Sequence, residues 1–180
     1  LNKYFELKLG TVFRDTREDK IPSSSTINRK GSNIFGSITN SFSDFYKLDY
    51  DFSIDNDLNT IEYNSIKSTF YLPNITSEFL FTERNGTLGD TNFISNETEI
   101  KFNDKNFLKF KTRKNRKINL TEYYDFIYEY QNDCLAAGIK YKKVFYEDRE
   151  LKPDENLVFS ITIKPLTQYE YKVNQKIYNP

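Results

Sequence analysis

Cys134 is the only cysteine of this sequence, and the sequence contains no histidine. A disulfide inside the sequence and a zinc site built from several cysteines are therefore excluded. Catalytic triads that use an imidazole base and histidine-ligated zinc sites are excluded as well. Three roles remain for Cys134: half of a disulfide to a cysteine outside the sequence, an unpaired thiol, or a catalytic thiol without an imidazole to activate it.

Two further runs have the residue types of a ligand site. Asp55–Asn59 (DNDLN) begins like a calcium-binding loop, but Thr60 and Ile66 stand where that loop needs glycine and glutamate. We interpret it as a polar loop. Lys109–Lys117 (KFKTRKNRK) is basic, but the chain has 26 acidic and 26 basic residues, which gives no electrostatic case for nucleic acid. It is a solvated charge run or a contact for phosphate groups. We predict no catalytic residue, metal or cofactor, and therefore no enzyme.

The elements that position these side chains are strands, because apolar and polar residues alternate along most of the chain. Alternation with a period of two gives an extended strand one apolar face and one polar face. The pattern is cleanest over 46–54, and a change of parity within 61–71 predicts a β-bulge. The predicted strands, about ten in all, cover 3–14, 34–42, 46–54, 61–71, 75–83, 94–102, 107–113, 123–130, 135–141 and 157–165.

The polar positions of these strands carry many charges. In a soluble β-sandwich they form the solvated outside, whereas in a membrane barrel they line a wet lumen, and the alternation alone does not separate the two. The residues predicted to face the lumen are Lys47, Asp49, Asp51, Lys109, Lys111, Arg113, Lys140 and Lys142.

Two features favour the barrel. Many strands are about 9–13 residues long, which is enough to cross a bilayer when tilted, whereas strands of soluble sheets are commonly about 5–6 residues long. Long connections (15–32, 55–60, 84–92, 114–120, 147–154) also alternate with short ones (43–45, 72–74, 103–105, 131–133), as in outer-membrane barrels. We predict an all-β, antiparallel up-and-down transmembrane β-barrel segment over 1–166, incomplete and lacking N-terminal strands, followed by a tail over 167–180.

The residues from Lys111 to Leu166 resemble LptD, the outer-membrane lipopolysaccharide-assembly protein, and look like its alphaproteobacterial members. The resemblance is carried by the tyrosine-rich strand over 123–130, the run Asn132–Leu135 (NDCL), the run Asp148–Pro153 (DRELKP) and a final strand of the form Phe-x-Ile-x-Ile. Tyr50–Asp55 also fits the middle barrel strands of the family. The resemblance covers most of the chain and is specific from about Tyr123 to Leu166.

This resemblance implies a part of the C-terminal barrel of a lipopolysaccharide translocon in the bacterial outer membrane. The implied partners are lipopolysaccharide, outer-membrane lipid, an LptE-like plug lipoprotein and the periplasmic Lpt bridge proteins. It further implies a disulfide between Cys134 and a cysteine of the N-terminal periplasmic region. Asp133 stands where enterobacterial members have a second cysteine, so this segment supplies at most one such bridge.

The resemblance also implies a lateral seam, where the first and last strands of the barrel part to release lipopolysaccharide. We assign the last strand to Leu157, Val158, Phe159, Ser160, Ile161, Thr162, Ile163, Lys164 and Pro165. The alternatives to this function are a porin-like channel or a surface adhesin barrel and, as a different class, a soluble secreted β-sandwich that binds a partner.

Overall fold

The computed structural model describes residues 3–22, 25–86, 90–145, 154–163 and 167–174. These residues are all-β: eleven antiparallel strands form one sheet whose spatial order follows the chain. The strands are β1 (Tyr4–Gly10), β2 (Ile34–Ser43), β3 (Tyr46–Ile54), β4 (Ile61–Leu72), β5 (Ile75–Arg84), β6 (Thr91–Asn103), β7 (Asn106–Asn115), β8 (Leu120–Gln131), β9 (Leu135–Val144), β10 (Asp154–Ile163) and β11 (Thr167–Asn174). This confirms the antiparallel up-and-down fold.

The connections between the strands alternate in length, as predicted. The gaps at 44–45, 73–74, 104–105, 132–134 and 164–166 are two or three residues long, whereas those between them are longer, up to the 23 residues of 11–33. Successive connections of an up-and-down sheet lie at opposite ends of its strands. Each strand therefore has a short-turn end and a long-loop end.

The chain divides into two compact units, the first formed by Leu1–Tyr71 with Glu78–Ile94 and the second by Leu72–Ser77 with Ser95–Pro180. In the first unit the register aligns apolar residues across four strands, with Leu7 opposite Ile38, Ile38 opposite Tyr50 and Tyr50 opposite Ile66. The pairing of β3 with β4 shifts register at Glu62, which is a β-bulge. A bulge in this strand was predicted, but from a slip after Tyr63, whereas the register shift precedes Tyr63 and puts Ile61 and Tyr63 on opposite faces.

The second unit aligns apolar residues in the same way. Leu108 of β7 lies opposite Tyr128, Tyr128 opposite Ile139, Ile139 opposite Phe159 and Phe159 opposite Tyr171 of β11. A one-residue slip of any of these pairs would exchange the two faces of a strand, so the shared apolar pattern specifies the register.

The long connection between β1 and β2 is more ordered than a solvated loop. Phe13 pairs with Gly31 in an antiparallel bridge. The amide of Arg14 donates to the carbonyl of Lys30 at 2.8 Å and its Nε to the carbonyl of Ile27 at 2.8 Å. Thr26, with φ of 56°, has no exposed surface. The sequence pattern indicated none of this order.

Two predictions about the C-terminal part are wrong. Thr167–Asn174, predicted to be a tail, is strand β11. Consequently β10, predicted to be the last strand, pairs along one edge with β9 and along the other with β11. Because both of its edges are paired, β10 is not an edge strand in the described part of the chain, and the seam assigned to it stays a prediction. Lys164 and Pro165 of the predicted seam strand lie outside the described residues.

Within the described ranges, no helix has the length and apolar character needed to cross a membrane.

Candidate functional site: a charged face and an apolar face

In each unit, the two faces of the sheet differ in chemistry. We call "charged face" the side that carries Lys47, Asp49 and Lys67 in the first unit and Lys109, Lys111, Arg113, Asp125 and Lys140 in the second. We call "apolar face" the opposite side. It carries Leu7, Ile38, Tyr50 and Phe70 in the first unit and Leu108, Phe126, Ile139 and Phe159 in the second.

Ion pairs join neighbouring strands on the charged face of the second unit. Lys109 of β7 lies 3.1 Å from Glu99 and 3.8 Å from Glu97, both on β6. Lys111 lies 2.8 Å from Glu97. Glu97 therefore bridges two lysines of the next strand, and the acidic residues of β6 neutralise the basic residues of β7.

The ladder of charges continues to β8 and β9. Asp125 lies in register between Lys111 and Lys142 and forms an ion pair with Lys140 at 3.4 Å. Only 9% of Asp125 is exposed, so its surroundings rather than bulk water stabilise the carboxylate. Arg113, predicted to face the lumen, forms an ion pair with Glu122.

The first unit has a smaller set of polar contacts on its charged face. Asp49 accepts hydrogen bonds from Lys47 Nζ at 2.9 Å and from Thr39 Oγ1 at 2.9 Å. Lys67 of β4 lies 3.4 Å from Glu78 of β5. Of the eight residues predicted to face the lumen, only Asp51 and Lys142 form no ion pair within the described ranges.

A buried polar cluster at the β4 bulge was not predicted. Glu62 is 8% exposed, and its Oε2 accepts a hydrogen bond from Asn33 Nδ2 at 2.7 Å. Asn33 Nδ2 also donates to Ser53 Oγ at 3.0 Å. The backbone amide of Asn85 donates to the Glu62 carbonyl at 2.8 Å, and Gly86, with φ of +67°, lies against the Glu62 carboxylate. The cluster ties the end of the β1–β2 connection to β3, β4 and the residues after β5.

The apolar face is exposed. No hydrophobic residue is buried in the part of the chain that the structure describes, and the buried residues other than glycine are all polar or charged. Phe126 and Tyr128 of β8, Ile139 of β9 and Phe159 and Ile161 of β10 are 37–48% exposed. Buried residues that are polar, together with large apolar residues that are exposed, are the reverse of the arrangement in a soluble domain.

Aromatic contacts on the apolar face lie both near strand ends and at mid-strand, where Tyr50 contacts Phe52 at 5.4 Å between ring centroids. In the first unit, Phe5 stacks on Phe42 with 6.3 Å between ring centroids, and Phe70 contacts Tyr46 and Phe79 at 5.0 and 6.2 Å. Phe42 and Tyr46 flank the β2–β3 turn, so these pairs lie toward the short-turn end. In the second unit, Tyr124 contacts Phe110 at 6.1 Å, and it contacts Phe145, which follows β9, at 5.5 Å.

A cluster of three polar side chains interrupts the apolar pattern of β5 and β6. Ser77 Oγ lies 2.7 Å from Thr98 Oγ1, Asn96 Nδ2 donates to Ser77 Oγ at 3.2 Å, and Thr98 Oγ1 donates to Asn96 Oδ1 at 3.1 Å. These three side chains satisfy much of one another's hydrogen-bonding capacity, which lowers the cost of placing them on an apolar surface.

Cys134 lies in the short turn between β8 and β9 and is exposed, with a free thiol. Asn132 Oδ1 shapes this turn by accepting hydrogen bonds from the amides of Cys134 at 3.0 Å and Leu135 at 2.7 Å. The proposed disulfide to a cysteine outside the sequence stays a prediction.

The two runs with ligand-like composition have structural roles. Asp55 Oδ1 accepts hydrogen bonds from the amides of Asn59 at 2.7 Å and Thr60 at 3.0 Å, which closes the β3–β4 loop. The basic run divides between β7, where alternate residues join the charged face, and the β7–β8 turn. Among the described residues, no group of three or more aspartate, glutamate, cysteine or histidine side chains is arranged to hold a metal ion.

A scan against protein-family models and a search of the curated proteins found no match to this chain.

Proposed function

We propose that this chain is part of an outer-membrane β-barrel of the LptD type, which moves lipopolysaccharide to the outer leaflet without covalent chemistry. The apolar face contacts lipid hydrocarbon, and the charged face lines an aqueous conduit. The observation that carries the membrane part is the inverted burial, with buried residues that are polar and apolar side chains that are exposed.

The exposed apolar surface is the first support. Soluble monomers rarely expose contiguous apolar patches beyond a few hundred Å². Here, apolar residues follow one another across the neighbouring strands of each unit and remain exposed. Burying such a face stabilises a protein by about 25 cal/mol per Å², and lipid hydrocarbon provides that burial without a second protein layer.

Strand length is the second support. Strands β2–β10 have 9 to 13 residues each. A strand of ten residues is about 33 Å long, and a tilt of about 45° reduces its height to about 23 Å. This matches the apolar band of outer-membrane barrels, which is about 25 Å tall. The Phe5–Phe42 and Tyr46–Phe70 pairs, which lie toward strand ends, suit an interface at the border of that band.

The charged face is the third support. In the ion pair of Lys111 with Glu97, the two side chains are 35% and 44% exposed. The pair is therefore in contact with solvent, as in a wall that faces water. A wet wall in which acidic and basic side chains alternate accommodates a sugar head group that carries both hydroxyls and anions. The lipopolysaccharide cargo itself, the plug lipoprotein and the bridge proteins are supported by the resemblance over Tyr123–Leu166.

Photo-crosslinking in cells that produce the full-length protein tests both parts of the proposal. A photoreactive amino acid replaces Lys142, which is exposed on the charged face, or Ile139, which is exposed on the apolar face. We expect lipopolysaccharide adducts from position 142 and phospholipid or lipid A acyl-chain adducts from position 139.

Two outcomes would contradict different parts of the proposal. A protein that stays soluble without detergent and gives no lipid adduct from position 139 would contradict the membrane assignment. A membrane-embedded protein that conducts ions freely and gives no lipopolysaccharide adduct from position 142 would support the porin-like alternative instead.

A further inference from the structure

We propose that a cavity on the charged face of the first unit binds a hydrophobic organic cation, with the ammonium group against Asp51 and the apolar body beside Phe35 and Tyr63. This function goes beyond the proposed conduit, because it concerns a separate ligand of opposite charge to lipopolysaccharide. It rests on the register of β1–β4 and on the charges around the cavity.

The cavity exists because small residues flank an aromatic side chain. Phe35 of β2 lies in register between Gly10 of β1 and Ser53 of β3, and Ser53 in turn lies opposite Tyr63. A Cβ atom added at Gly10 would meet no atom within 4 Å, so the space beside Phe35 is open on that side. The resulting cavity has a volume of about 410 Å³, within the range of small-molecule sites.

The next row of the sheet supplies the charges. Ser37 lies in register between Lys8 of β1 and Asp51 of β3, and all three residues line the cavity. The Lys8 ammonium is 2.9 Å from the carboxylate of Glu6, which neutralises it. Asp51 is exposed and, within the described ranges, has no hydrogen bond or ion pair, so its carboxylate is available to a cation at this end of the cavity.

The aromatic side chains favour a cation over a neutral ligand. The guanidinium of Arg84 lies 5.4 Å from the centroid of the Tyr63 ring and already occupies one face of it, so Phe35 provides the aromatic surface for the ligand's cation. Apart from Lys8, Ser37 and Asp51, the cavity is lined by apolar and aromatic side chains and glycine, which offer few partners for the hydroxyls of a sugar. An ammonium group with an apolar body satisfies both the carboxylate and the aromatic walls.

Isothermal titration of the full-length protein in detergent with benzyltrimethylammonium tests this proposal. Benzyl alcohol, as the neutral aromatic ligand, and methyl glucoside, as the sugar, are titrated in parallel. We expect binding of the cation alone, about tenfold weaker binding in Asp51→Asn and several-fold weaker binding in Phe35→Leu. The matched control is Asp57→Asn, on the exposed loop after the same strand, and it should bind within twofold of the wild type.

The circular dichroism of each variant must equal that of the wild type, so that weaker binding is not a loss of fold. Binding of the cation to Asp51→Asn with unchanged affinity would overturn the proposal, because the carboxylate would then have no role. Tighter binding of methyl glucoside than of the cation would overturn it as well and would make the cavity a saccharide site. Neither result depends on whether the protein transports lipopolysaccharide.

Discussion

Replacing Phe159 by arginine tests whether the apolar face contacts lipid or water. Phe159 lies near the middle of β10, between Ile139 and Tyr171, and is 40% exposed. In hydrocarbon, an arginine at mid-bilayer depth costs about 2–4 kcal/mol. In water, a substitution at an exposed position changes stability by no more than about 0.5 kcal/mol. We compare Phe159→Arg with Phe159→Ala, so that the loss of the ring cancels and the effect of the charge remains.

Ser160→Arg provides the matched control one residue further on. Ser160 lies on the charged face, in register with Gly138, which has no side chain, and with Glu170, so an arginine there has an acidic neighbour. We expect Ser160→Arg to change the free energy of unfolding by less than about 0.5 kcal/mol. A cost at position 159 without a cost at position 160 would assign the two faces to lipid and water.

The assay is urea unfolding of the full-length protein in phospholipid vesicles, with the folded fraction read from gel mobility and circular dichroism. A difference of about 2–4 kcal/mol between Phe159→Arg and Phe159→Ala corresponds to a roughly 30- to 700-fold change in the unfolding equilibrium. A difference below about 0.5 kcal/mol would refute the lipid assignment, because an arginine tolerated at this position must be hydrated.

Three other predictions follow from local geometry. Gly36→Ala places a Cβ atom 2.1 Å from the ring of Phe52 and should destabilise the protein by about 1–3 kcal/mol. The control Gly10→Ala meets no atom within 4 Å and should leave the stability unchanged. Equal urea midpoints of the two variants would contradict this prediction. Glu62→Ala removes an acceptor of buried Asn33 and should cost about 1–3 kcal/mol, and an unchanged midpoint would show that water replaces the carboxylate. Cys134, after reduction, should react with a membrane-impermeant maleimide only in cells whose outer membrane has been opened, and labelling of intact cells would place the short turns outside.

The faces of the strands could be predicted from the sequence because side chains alternate with a period of two whatever the partner strand is. Tyr46–Ile54 shows this: its apolar and charged positions lie on opposite sides of β3, as predicted. The short turns could be predicted too, since residues such as Asn103-Asp104-Lys105 have the composition of tight turns. The prediction ended the sheet at residue 166 and therefore did not include the strand at 167–174.

Only the tertiary structure shows which charged side chains form ion pairs. Asp125 and Lys140 are 15 positions apart in the chain, and only the register of β8 with β9 brings them within 3.4 Å. The contact of Glu62 with Asn33 needs both the bulge in β4 and the ordered connection after β1. The sequence by itself determines which side chains share a face, because that depends on local backbone geometry. Which of them touch depends on how neighbouring strands align, and the packing of apolar side chains from those strands on one shared face sets that alignment.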